Sequence, residues 1–307
     1  MKKRNLTLFL ALLLILTTFS GCSTEGNIGN NDDVLTDQKI EITDDFGKVV
    51  SLDKPAEKIV SLAPSHTEIL FAIGAGEKVV GVTTADDYPE DVIGIEKVGG
   101  FEGWNLELIM SLEPDLVLNY GPRNEEDNKR LEESGITVAS FMPETIDEVF
   151  DTIEKIGVLT GNNEKAVELV SDMKFKKDEI VLKVKDLGTK KVFYEVYNDP
   201  LMTAGPGSFI DELINLAGGE NVAKDADNPY PQFDIEKLIE SDPEVYLIPN
   251  DSTTTLDMLK QRPGFENIQA IKNSQIYFLD ANLVSRPGPR IIEGLYEIAK
   301  AIHPEIE

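Results

Sequence analysis

Along the chain, short apolar runs rich in β-branched residues alternate with stretches whose apolar positions recur at helical spacing. KIVSLA (58–63) is followed by SHTEILFAIGAG (65–76) and then by KVVGV (78–82). Strand and helix periods that alternate in this way predict parallel sheet covered by helices. Further strands are expected at DLVLNY (115–120), TVASF (137–141), KVFYEVY (191–197), EVYLIP (244–249) and QIYFL (275–279). A long helix is expected from Asn162 or Asn163 to about Asp186, with Val167, Val170, Met173, Lys177, Ile180 and Val184 near one face and no Gly or Pro inside it. At 1.5 Å per residue, about 24 residues make a strut of about 36 Å. The last helix, Arg290 to Ile302, places Ile291, Ile292, Leu295, Ile298, Ala299 and Ile302 on one core-facing stripe.

The pattern occurs twice. NLELIMSLEPDLVL (105–118) aligns without a gap to DIEKLIESDPEVYL (234–247), and EILFAIGAGEKV (68–79) aligns to DELINLAGGENV (211–222). Each of the latter pair is preceded by a candidate capping box, Ser65 with Glu68 and Ser208 with Asp211. Two copies at this spacing predict two lobes rather than a solenoid, which would need a short period and at least three units. The expected fold class is α/β: two Rossmann-like lobes with parallel sheets joined by a single long α-helix. The lobes are expected at 39–160 and 188–307, with the connecting helix at 161–187.

Before residue 39 the pattern changes. Lys2, Lys3 and Arg4 precede an apolar run from Leu6 to Leu16, then Ser20 and Gly21. That order predicts an export signal over 1–21, and the run falls short of the roughly 20 apolar residues a membrane span needs. Phe19-Ser20-Gly21-Cys22 resembles a bacterial lipobox, which implies acylation of Cys22, the one cysteine of the chain. Residues 22–38 are polar and Gly- and Asn-rich, the composition of a flexible tether. An extracytoplasmic, membrane-anchored location follows.

Charge narrows the partners. The chain carries 29 Lys and Arg against 56 Asp and Glu, and loss of 1–21 would leave 26 against 56, a formal charge of −30. That excess argues against nucleic acid. Enzyme chemistry has little to stand on: His66 and His303 are the only histidines, and no GxSxG elbow, P-loop or GxGxxG follows a strand. Asp45-Phe46-Gly47 matches a kinase triplet with no other kinase element around it. No metal site is expected.

In parallel α/β units the ligand crevice lies beyond the carboxyl ends of the strands. The loops there are Ala63-Pro64-Ser65-His66 in the first lobe and Asn198 to Gly207 in the second. Tyr88-Pro89 and Tyr230-Pro231 lie on corresponding second loops. The first lobe has 13 more residues between Tyr88 and Asn105 than the second has between Tyr230 and Asp234, and this insertion holds Phe101 and Trp104. Aromatic side chains on such loops are candidates for stacking on a flat ligand or for plugging their own lobe. In SRPGPR (285–290), Arg286 is the candidate partner for a polar ligand group, whereas Arg290, at a helix start unfavourable for a cation, is expected to have a structural partner. His66, on the loop by the cleft, is expected as a solvent-exposed histidine of the capping turn, with ligation of a bound metal centre as the alternative.

Taken together, SLAPSHTEILFAIG, Asp87-Tyr88-Pro89, EGWNLELI around Glu107, the stretch from Gly218 to Gln232 and SRPGPRII resemble the cobalamin and iron-siderophore group of ABC-importer solute-binding proteins, and most closely its vitamin B12-binding members. The resemblance runs from residue 58 to the C-terminus with the motifs in order. It implies a bridging helix with little hinge motion, no catalysis, no resident cofactor, a monomer, and a cobalt corrinoid as ligand. By position, Tyr88, Phe101, Met202, Tyr230 and Arg286 would touch the corrin, with Ser65 and His66 nearby. Phe101 and Tyr230 stand where tryptophans are expected, and Met202 where phenylalanine is. The resemblance further implies that Glu107 and Glu236, at equivalent positions of the two repeats, dock onto a two-fold symmetric permease. Acids in a first helical turn are also favoured by the helix dipole. A ferric siderophore or haem is the alternative ligand.

Overall fold

Two five-stranded sheets organise the chain, one on each side of a long helix. The computed structural model describes residues 39–100, 102–121 and 125–306. An antiparallel hairpin, β1 (Ile40–Thr43) and β2 (Val49–Leu52), comes first. It is followed by β3 (Ile59–Ser61), α1 (Pro64–Ala72), β4 (Val79–Val82), β5 (Glu96–Lys97), β6 (Gly99–Gly100), β7 (Gly103–Trp104), α2 (Leu106–Ser111), β8 (Leu116–Tyr120), α3 (Glu125–Glu133), β9 (Thr137–Phe141) and α4 (Ile146–Thr160). Then α5 (Asn163–Val184) crosses to the second lobe. That lobe contains β10 (Lys190–Asn198), β11 (Leu201–Thr203), α6 (Phe209–Leu216), β12 (Gly219–Asn221), α7 (Ile235–Ser241), β13 (Val245–Pro249), α8 (Leu256–Gln261), α9 (Gln269–Lys272), β14 (Ile276–Leu279), α10 (Ala281–Ser285) and α11 (Ile291–Ile302).

The repeat in the sequence is a repeat in topology. The first sheet runs β5-β4-β3-β8-β9, all parallel. In the second, β12 and β13 flank β10 and β14 lies beside β13, again parallel. The order β4-β3-β8-β9 therefore recurs as β12-β10-β13-β14. Additions distinguish the copies: β11 folds back antiparallel on the end of β10, and the insertion of the first lobe supplies β5 and the β6–β7 hairpin.

Packing ties the lobes together through α5. One continuous apolar cluster includes Ile69, Leu70 and Ile73 of α1, Ile153 and Ile156 of α4, Val170, Met173 and Ile180 of α5, and Leu213, Ile214, Leu295 and Ile298 of the second lobe. The outer face of each sheet has its own smaller cluster. At about 1.5–3 kcal/mol for each large apolar side chain buried, the shared cluster makes α5 part of both lobes. Its 22 residues span about 33 Å.

Four local expectations are corrected. Helix α1 begins at Pro64 with Ala63 as its N-cap, so Ser65 caps nothing and Glu68 does not close a box; proline at the first helical position is already pre-organised and has no N–H in need of an acceptor. Ser208 does cap α6, accepting from the Asp211 amide at 3.1 Å, but the Asp211 carboxylate accepts from Asn221 instead of reaching back. On α5 the buried stripe is Ala166, Val170, Met173, Ile180 and Val184, while Val167 is exposed, because a stripe of alternating four- and three-residue steps passes one position before it. Asn162 holds the N-cap position, yet its side chain donates to the Ile73 carbonyl at the end of α1.

Candidate functional site

The carboxyl ends of both sheets feed loops that face one another. Tyr230, half exposed, lies on the loop after β12, and burial followed by the negative charge of Glu144, on the loop after β9, pushes its hydroxyl pKa up. Loops of opposite lobes meet directly where Arg286 of the second reaches Ala85 and Asp87 of the first. Farther along the interface the backbone amide of Ile146, at the start of α4, donates to the Glu212 carboxylate of α6 at 2.9 Å. Partial burial raises the Glu212 pKa against this hydrogen bond, and the charge of Asp147 adds to the rise.

At one side of the gap an ion-pair cluster joins the lobes. Glu68 of α1 is 2 % exposed at its side chain, and its carboxylate accepts three hydrogen bonds. Arg290 donates two of them, Nε to Oε2 at 2.9 Å and Nη2 to Oε1 at 2.6 Å; Arg286 donates the third, Nη1 to Oε1 at 3.1 Å. Arg286 also donates to Asp87 Oδ1 at 2.7 Å and to the Ala85 carbonyl at 3.3 Å. Partial burial pushes the Asp87 carboxyl pKa up, but the hydrogen bond and charge of Arg286 outweigh it and hold the group below the usual carboxylate range. Hydrogen bonding to the Glu68 carboxylate, ahead of the opposing burial, raises the Arg290 pKa. Chain approach is close here as well: a side chain at Gly288 would meet the Ser65 carbonyl at 3.3 Å.

These placements revise the predicted site. Arg286 is engaged by two carboxylates and a carbonyl, which makes it a contact between the lobes. Arg290 has the structural partner expected of it, Glu68. Ser65 and His66 are buried, His66 completely, and offer no surface to a ligand. The surface position expected for His66 is thus wrong: its ring packs between Tyr120 and Phe141, and burial lowers its pKa to about 3. The cause is the short turn after β3, where Thr67 Oγ1 bonds Ser61 Oγ at 2.8 Å and draws the first turn of α1 into the core. Tyr88 and Tyr230 are exposed by 47 % and 50 %, leaving ring surface for a ligand. Met202 is half-buried in β11 and bridges to Gln232. Trp104 is half-buried in β7 and packs against the outer apolar cluster of its own lobe. Phe101 and Cys22 lie outside the described residues.

Glu107 and Glu236 are both exposed, each in a first helical turn behind a capping residue, Asn105 and Asp234. Sequence reasoning gives Glu68 and Asp87 no part in the site. Glu68 leaves a trace, a lone acid at the head of the apolar run EILFAIG.

A cavity of about 1360 Å³ forms a groove along α5 between α1 and α11. It shares Glu68, Tyr88 and Arg290 with the ion-pair cluster and otherwise takes none of the predicted ligand residues. The repeat and the loop geometry favour the gap between the strand ends as the site, since the groove has no counterpart in the strand-end rule. Among the described residues no three His, Cys, Asp or Glu are grouped to hold a metal ion, and no helix is long and apolar enough to cross a membrane.

Residues 59–283 match the family model described as periplasmic binding protein. The chain belongs to the periplasmic binding protein family. Among its relatives is the uncharacterized ABC transporter substrate-binding lipoprotein YvrC of Bacillus subtilis, 37 % identical over 99 % of both chains. The vitamin B12-binding protein of Vibrio parahaemolyticus is 30 % identical over 83 % of this chain and 92 % of its own length. Among solved structures, a possible iron-binding protein of Staphylococcus epidermidis is 34 % identical with a TM-score of 0.74, covering 81 % of this chain and 100 % of the other. The haem-binding protein RhuT of Roseiflexus is 26 % identical with a TM-score of 0.74, covering 81 % and 98 %. As a periplasmic binding protein, the chain is the extracytoplasmic substrate-binding component of an ABC transporter, with a small molecule and a permease as its partners and no enzyme activity.

Proposed function

We infer that this periplasmic binding protein captures cobalamin or a related corrinoid between its lobes and passes it to its importer. The observation that carries the reading is the electrostatics of the cleft. Arg286 and Arg290 are neutralised by Glu68 and Asp87, and Glu144 adds negative charge beside Tyr230. Such a gap disfavours an anionic ferric chelate, which usually meets several basic residues, and suits a nearly neutral macrocycle. The similarity to a vitamin B12-binding protein supports it. Tyr88 and Tyr230 are the proposed stacking residues, and Phe101, Trp104 and Met202 are further proposed ligand residues. Glu107 and Glu236 are the proposed docking acids, and Cys22 the proposed site of lipid attachment.

A haem or iron chelate is the second reading, favoured by the likeness to the iron- and haem-binding structures. Titration of the full chain with cyanocobalamin, cobinamide, haem and ferrichrome, followed by tryptophan fluorescence at Trp104 and by thermal shift, separates the two. Saturable quenching by the corrinoids alone is expected. A response to haem or ferrichrome without one to either corrinoid overturns the reading.

A further inference from the structure

We propose that Glu68 is the positioning residue that sets the width of the cleft. The proposal rests on the cleft between the strand ends being the ligand site, and deepens that reading by naming what holds its two walls. Glu68 belongs to the first lobe, on α1, one turn after the strand end. Both of its partners come from the 286–290 segment of the second lobe. The carboxylate is buried, so it is poorly screened and its three hydrogen bonds are charge-assisted. One side chain thereby ties down two arginines, and each arginine carries a piece of the rim. Arg290 lies over the Tyr88 ring, its guanidinium carbon 4.0 Å from the ring centroid, while Arg286 holds Asp87. Lobe spacing and the pose of the exposed Tyr88 ring thus share a single buried anchor. Shared apolar packing along α5 restrains the lobes at the bridging helix; Glu68 adds to it a polar restraint made directly between the lobes.

The test uses the full chain carrying Cys22→Ser, with spin labels on cysteines introduced at Glu107 and Glu236, which are exposed on opposite lobes. Inter-label distances are measured without ligand, so the outcome does not depend on what the cleft binds. A narrow distribution is expected for the parent and for Asp87→Asn, which leaves the Glu68 contacts intact. Glu68→Gln is expected to broaden the distribution or shift its mean, and Arg290→Gln, which removes two of the three hydrogen bonds, to do so to a lesser extent. If Glu68→Gln does not fold, Arg290→Gln and Arg286→Gln decide the matter in its place. A Glu68→Gln distribution as narrow as the parent's, or equal broadening in Asp87→Asn, overturns the proposal. Cyanocobalamin affinity, measured on the same proteins, is expected to fall at least threefold in Glu68→Gln. A parent that binds no cyanocobalamin counts against the corrinoid reading, and the distance result still judges Glu68.

Discussion

Arg290 lies across the ring of Tyr88 at 4.0 Å and with the same guanidinium grips Glu68 on the opposite lobe through two hydrogen bonds. One face of Tyr88 is therefore occupied by protein, while the residue as a whole stays 47 % exposed. Cation–π contact of this kind contributes about 0.5–2 kcal/mol, enough to select one pose of an otherwise exposed ring.

Tyr88→Ala and Tyr230→Ala are each expected to weaken corrinoid binding about tenfold, since an aromatic contact contributes roughly 0.5–1.5 kcal/mol beyond its burial. Isothermal titration with cyanocobalamin measures this. Unchanged affinity in both variants would place the ligand elsewhere.

Reversing both docking acids, Glu107→Arg with Glu236→Arg, is expected to abolish uptake in cells while ligand affinity stays within about twofold of the parent. The two acids are exposed and lie at equivalent repeat positions, so their loss leaves the cleft intact. Retained uptake refutes the docking role.

Stability should fall with pH through His66. Its pKa is about 3 in the fold against an ordinary 6.5. Between those values the unfolded chain takes up a proton that the folded chain refuses. The contribution is complete above pH 6.5 and is lost at up to about 1.4 kcal/mol per unit as pH drops toward 3. His66→Phe, compared with the parent by urea unfolding at pH 7 and pH 5, is expected to show the shallower decline; equal slopes would remove His66 as a source.

Arg262 neutralises Glu195, a fully buried carboxylate in β10 that also accepts from Tyr246 and Thr254. Arg262→Ala strands that charge and is expected to destabilise the chain by about 3 kcal/mol in urea unfolding. A loss under about 1 kcal/mol would mean that water reaches Glu195.

Cys22→Ser is expected to release the protein from the membrane fraction and to end incorporation of labelled palmitate. Continued membrane retention of the variant would show that another element anchors it.

Periodicity and internal similarity made the architecture readable before any coordinates. Apolar strands such as DLVLNY, buried on both faces, have few alternatives, and β8 occupies Leu116–Tyr120 within that run. Helix ends were less legible, because caps depend on which of several neighbouring groups an atom reaches: Ser65 was a sound capping residue by composition, yet the helix starts at Pro64 behind Ala63, two positions earlier. In the candidate site, Tyr88 and Tyr230 could be picked out from their loops and are exposed there. His66 could not, since the bond from Thr67 to Ser61 that draws its turn inward joins a strand to a helix.

By itself, the order of residues determined two related α/β halves, a long uninterrupted helix between them and an acidic surface, because these follow from local period, repeat and charge. Only the tertiary structure decided that Glu68 meets Arg286 and Arg290 across 218 and 222 residues of chain. Ion pairing at that separation carries no local pattern: each partner is an ordinary charge in its own segment, and only the packing of two lobes about α5 brings them within bonding distance.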